Sequence, residues 1–195
     1  MVSKENMDGL RVELSVKSKN GLDFTMSASI IWLAIAFIWT LNGSSYDKSI
    51  LTFIVGSLML PLALLLSKVL KTVWTNKDNP LQPLGLWLNF AQLLYFPFLI
   101  LTLIKMPDYF AMVYVIITGA HFFPYAWFYK TNLYAIFAGI ISFGALILGL
   151  ILPVEKTYLV PVFMSASLVI LTILLYLDSK KKFHTSVSKS SHLYC

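Results

Sequence analysis

The chain has 195 residues, 58% of them hydrophobic and 12% charged, with a formal net charge of +6. A water-soluble domain carries about 25% charged residues, so most of this surface faces something other than water. The lone cysteine, Cys195, excludes an internal disulfide, a Cys-x-x-Cys redox pair and a cysteine metal cluster.

Residues 1–22 form a polar cytoplasmic segment. "LRVELSVK" alternates as a strand would, whereas Met7, Leu10 and Leu14 share one helix face. A lone strand has no partner here, so a short interfacial helix is the preferred reading. "NG" at 20–21 ends the segment, and Asp23 is a candidate N-cap for the helix that follows. That helix begins too late and runs too long for a signal peptide.

A transmembrane domain is expected over 23–178. It contains six apolar stretches, 24–42, 48–67, 83–104, 109–129, 132–152 and 157–177, free of Asp, Glu, Lys and Arg apart from Lys48 at one edge. About 20 helical residues cross a hydrocarbon layer of about 30 Å, and unpaired backbone groups are excluded from lipid. The fold expected is therefore all-α, a bundle of six transmembrane helices. Residues 179–195 are basic and Ser-rich and read as a disordered cytoplasmic tail near the headgroups.

Charge sets the orientation. One set of flanks holds Lys4, Arg11, Lys17, Lys19, Lys68, Lys71, Lys77, Lys130, Lys180, Lys181, Lys182 and Lys189; the alternate set holds Lys48, Lys105 and Lys156. The positive-inside rule then places both termini in the cytoplasm. Trp and Tyr residues fall at both ends of the spans, as interfacial belts do. A bilayer with anionic headgroups at its cytoplasmic face accounts for the basic balance, and no nucleic acid is called for.

Pro61, Pro97, Pro124 and Pro161 lie inside spans, where each removes a backbone hydrogen bond and favours a kink. In the fifth stretch Ala138, Ser142, Ala145 and Gly149 share a face of small residues. Such a face permits close helix approach, within the chain or in a homo-oligomer.

The third and fourth stretches carry the polar residues. Asn89 and Gln92 share a face of the third; Tyr114, Thr118, His121 and Tyr125 share a face of the fourth. The short link "KMPD" at 105–108 makes the two antiparallel neighbours. Residues equidistant from that turn then lie at equal depth, which pairs Gln92 with His121, Asn89 with Tyr125 and Tyr95 with Thr118. Two readings stay open: a polar zipper closing the hairpin, or a polar site for a small molecule or ion. Trp32, well inside the first span, is a candidate aromatic wall for that site.

His121 is the one intramembrane side chain that titrates near neutral pH. It has no partners at the spacings of a zinc site or a Ser-His-Asp triad, and neither Gly-x-Ser-x-Gly nor a Gly-rich phosphate loop occurs. Neither a cofactor nor a metal is expected.

The strings "KSKNGLDFTMSASIIW", "LPLALLLSK", "NPLQPLGLWLNFAQLLYFPFL" and "GAHFFPYAWFY" together resemble an uncharacterised bacterial family of small multi-pass membrane proteins. The resemblance covers nearly the whole chain. It implies a bacterial inner membrane and brings no activity or functional residues with it. The functional expectation is a protein that binds or transports a small molecule or ion, with His121, Gln92, Asn89, Tyr125, Thr118 and Tyr114 lining the site beside Trp32. The alternatives are a non-catalytic accessory, sensor or immunity-type partner and, third, a membrane enzyme using His121 as a base.

Overall fold

Backbone amides in hydrocarbon have no water to bond, so each apolar stretch must close its own hydrogen bonds as helix. The computed structural model describes residues 4–191 and does this throughout. α1 covers Lys4–Lys17 and leads through a 3-10 turn, Lys19–Gly21, into α2, Leu22–Thr40. α3 (Ser45–Gly56) and α4 (Met59–Leu70) make the second span, and α5 (Gln82–Leu93) and α6 (Phe96–Lys105) the third. α7 (Phe110–His121) and α8 (Phe123–Phe128) make the fourth, α9 (Leu133–Ile151) the fifth, and α10 (Leu159–Ser191) most of the sixth. Six helical segments are long and apolar enough to cross a membrane. The chain is an all-α, multi-pass membrane protein, and no strand occurs among the described residues.

Three of the four intramembrane prolines explain the interrupted spans. The breaks at Ser57–Leu58, Leu94–Tyr95 and Phe122 fall two to four residues before Pro61, Pro97 and Pro124, on the side where the missing N–H leaves a carbonyl unpaired. Pro161 lies in the first turn of α10, where an N–H has no intrahelical partner anyway, so it makes no kink.

The tail differs from its sequence reading. Residues 179–191 continue α10 as helix, and residues 192–195 lie outside the described residues. Local pairs support the extension: Asp178 with Lys182 at 2.7 Å, the Lys180 ammonium 4.6 Å from the Tyr176 ring centre, and the Thr185 hydroxyl donating to the Lys181 carbonyl at 3.0 Å. At 1.5 Å per residue, the 33 residues of α10 extend about 50 Å, well beyond a hydrocarbon layer of about 30 Å.

The first and last spans form the centre. Of the most apolar window of the first span 67% is buried, against 11% for the α5–α6 span. α2 packs against α10, α3 and α4, while α9 packs against both α7 and α10. Small polar residues let α2 approach α10: the Ser165 hydroxyl of α10 donates to the Ser29 carbonyl of α2 at 3.1 Å. Met164, Leu168, Leu171 and Leu175 fill the core from α10, Ile35 from α2 and Ile141 from α9.

The small-residue face of α9 is occupied within the chain by α7. Ala138 and Ala145 are buried, the Ser142 hydroxyl reaches the Ile116 carbonyl at 3.4 Å, and Gly149 lies against Met112. A second copy using this face would have to displace α7.

Candidate functional site

The α5–α7 hairpin has the register its short turn dictates. A Cβ added to Gly85 would lie 3.0 Å from the Phe128 ring. Seven residues further along each span stand Gln92 and His121, at nearly the same depth. α5 and α7 pack together, yet no residue of α5 is fully buried.

The polar residues on this seam do not close a zipper. Asn89 turns its amide back to the Gly85 carbonyl of its own helix, at 3.0 Å, which is how a short polar side chain settles in a helix without a neighbour. Among the described residues no hydrogen bond joins Gln92 to His121 or Asn89 to Tyr125. The Thr118 hydroxyl is buried and has no hydrogen-bond partner among the described residues. His121, half-buried at the last turn of α7, meets the Tyr125 ring edge-on with centroids 5.3 Å apart. Beside it the backbone ladder tightens: the Phe122 amide bonds to Gly119 and the Tyr125 amide to Phe122, each three residues back.

Tyr125 opens onto an aromatic stack. Its ring lies 5.9 Å from Tyr129 and 5.7 Å from Tyr134. The Tyr134 hydroxyl donates to the Asn20 carbonyl at 2.6 Å.

Trp32 and Tyr114 belong elsewhere. Their rings are 5.1 Å apart, and Tyr114 also touches Phe53, Phe96 and Phe110. The candidate residues therefore divide. Asn89 and Gln92 lie on α5, and Thr118, His121 and Tyr125 on the span of α7 and α8 that packs against it, while Trp32 and Tyr114 help form a packed aromatic cluster between α2, α3, α6 and α7.

A second polar cluster, at the end of the bundle that holds both termini, escaped sequence reasoning. Gly21, not Asp23, is the N-cap of α2. Asp23 lies in the first turn, only 1% exposed, and accepts from the Thr72 hydroxyl at 2.8 Å and from the Trp74 indole. Asn20 is fully buried. Its amide donates to the Leu175 carbonyl at 3.1 Å and to Asp178 at 2.9 Å, and its carbonyl oxygen accepts from Ser15. On α1, Glu13 accepts from Lys17 at 2.6 Å and from Asn76 and Asn79, each at 3.0 Å. The Lys17 and Asn76 bonds hold its carboxyl below the ordinary value of 4.5. The signal available in the sequence was the polar "NKDNP" at 76–80, with no means of matching it to α1. Among the described residues no three His, Cys, Asp or Glu side chains converge as metal ligands would.

Residues 7–178 match a family described as a family of unknown function, DUF7010. No curated protein and no solved structure matches the chain.

Proposed function

Starting from a chain that belongs to this family of unknown function, DUF7010, we propose a membrane protein that binds an uncharged polar small molecule at the seam of α5 with α7. The supporting observation is the set of unspent hydrogen-bonding groups on these two spans. The Thr118 hydroxyl is buried without a partner, and the side chains of Gln92 and His121, at matched depth, make no hydrogen bond among the described residues. A polar group left unsatisfied in hydrocarbon costs several kcal/mol. A ligand offering a donor and an acceptor recovers that cost, with the Tyr125 ring as an aromatic surface to lie on.

The charge of the ligand follows from its surroundings. Residues 82–104 and 109–129 contain no Asp, Glu, Lys or Arg, so a charged ligand would find no counter-ion at a depth where ions need one. α5, with no fully buried residue, is the wall that yields most cheaply. Breaks before Pro97 and Pro124 supply the interrupted helices on which carriers build midplane sites, so transport is the fuller form of this reading. The same reading places both termini in the cytoplasm, against anionic headgroups, in a bacterial cytoplasmic membrane.

The test is a thermal-shift panel on the protein in lipid nanodiscs, with neutral heteroaromatics such as indole, nicotinamide and uracil. A binder is expected to raise the melting temperature of the wild type. His121→Ala and Thr118→Val should erase that shift while keeping the unliganded melting profile. If His121→Ala and Gln92→Ala instead collapse the fold, the seam is internal glue and the binding reading falls.

A further inference from the structure

We propose that α1 is a hinged lid over the end of the bundle that holds the termini, latched through Glu13 and pinned by Asn20, and that its release admits ligand to the His121 seam from that end. This rests on the seam being a binding site.

α1 lies across the bundle end and is tied to three separate parts of it. On one side Asp8 pairs with Lys130 at 3.0 Å, and Arg11 donates to the Trp127 carbonyl at 2.5 Å with its guanidinium 4.7 Å from that ring's centre. On another, Asn79 donates to the Leu10 carbonyl at 2.9 Å, and the Val73 amide donates to the Lys17 carbonyl at 3.1 Å. At α10, Lys182 donates to Ser15 at 3.1 Å.

The character of these ties is that of a part meant to separate. Leu14 is the only apolar side chain of α1 in the buried core among the described residues. The remaining named ties are hydrogen bonds, ion pairs and the Arg11–Trp127 cation–π contact, and water replaces the exposed polar ones at small net cost.

The junction with α2 is built as a hinge. Lys19, Asn20 and Gly21 are all left-handed, with φ of 50°, 58° and 72°. Two of the three carry a Cβ that disfavours this conformation, so the bend is held by its surroundings. The holder is the Asn20 side chain, bonded at once to α1 through Ser15 and to α10 through Leu175 and Asp178.

Beneath the hinge a column of buried rings leads toward His121. The Tyr134 hydroxyl bonds the Asn20 carbonyl, and a Cβ on Gly21 would stand 3.1 Å from the Tyr129 hydroxyl. Tyr129 stacks on Tyr125 at 5.9 Å, and Tyr125 meets His121 at 5.3 Å. A continuous line of rings runs from the hinge to His121, and α1 covers its outer end.

Site-directed thiol labelling tests the lid without any ligand. In the full chain with Cys195→Ser, a reporter is placed at His121→Cys, or at Gln92→Cys should the first not fold. Membrane vesicles exposing the termini are treated with a charged, membrane-impermeant methanethiosulfonate. Glu13→Ala and Asn20→Gly are each expected to raise the labelling rate about tenfold, Glu13→Gln less, and a control at Leu41→Cys should not respond. Spin labels on α1 and α10 report whether the lid has moved. Displaced α1 with unchanged labelling overturns the proposal, as does α1 staying docked in both Glu13→Ala and Asn20→Gly. Gated labelling with no ligand shift in the panel above sinks the binding reading alone; a ligand shift with ungated labelling sinks the lid alone.

Discussion

A buried carboxylate needs donors, and Asp23 takes two of its own from 49 and 51 residues away, at Thr72 and Trp74. Asp23→Ala would leave an indole N–H and a hydroxyl without their acceptor, at about 1–3 kcal/mol. Asp23→Asn keeps one acceptor oxygen and should cost less. Chemical unfolding in mild detergent would read the difference, and equal costs would mean that Asp23 acts through its charge alone. Gly119 offers a second test. A Cβ there would stand 2.5 Å from the Ile141 Cγ2 and 3.0 Å from its Cβ, a β-branched side chain with little freedom to swing aside. Gly119→Ala should destabilise the α7–α9 contact by about 1–3 kcal/mol, seen as a lower melting temperature. At this scale the sequence offered residue types and little of their pairing. Asp23 is legible as a helix-start residue, but its donors sit in a loop that no periodicity connects to it.

Among the elements, α1 is the one whose docking depends on titration. The Glu13 carboxyl is held below its ordinary 4.5 by Lys17 and Asn76, and Asp8 is held below its ordinary range by Lys130. A depressed folded-state value stabilises the docked form above the unfolded value, and that contribution is lost as pH falls through the folded one. α1 should therefore stay docked at neutral pH and loosen on acidification below about 4.5 for Glu13. Spin labels on α1 and α10 should separate over that range in the wild type, and Glu13→Gln should remove much of the change. A distance unaffected by acid would mean that the ties of α1 other than the Glu13 and Asp8 carboxylates suffice to hold it. The ambiguity of "LRVELSVK" came from a segment whose partners are polar loops, so neither helical nor strand periodicity was strong. The extension of α10 was hidden for a related reason: composition marks a basic, Ser-rich run as disordered, while Asp178–Lys182 and Lys180–Tyr176 are pairs that form only once the helix is there.

For the whole molecule, an even number of spans returns the chain to the side it started from, and the lysine asymmetry predicts that this side is the cytoplasm. Fluorescent-protein fusions at either end should be bright, and alkaline phosphatase fusions at either end inactive; an active phosphatase at one end would refute the topology. Span number, helical class and hairpin register were legible because length, charge and a short turn constrain them directly. The state of the seam was not, because spacing gives depth along a helix and says nothing of whether facing groups close on each other. Gln92 and His121 share a level and make no bond; Trp32 and Tyr114 do meet, in a separate aromatic cluster.

The central pairing of α2 with α10 also bears on how the protein is made. The Ser165–Ser29 bond spans 136 residues of chain, roughly 7–27 s of synthesis at about 5–20 residues per second. For that interval α2 sits in the bilayer with Asp23, Ser27 and Ser29 but without the helix that covers much of its inner face. The nascent chain must either be shielded beside the insertion machinery or fill that face temporarily with another helix. Premature stop codons before α10 should therefore yield not a smaller bundle but a degraded one.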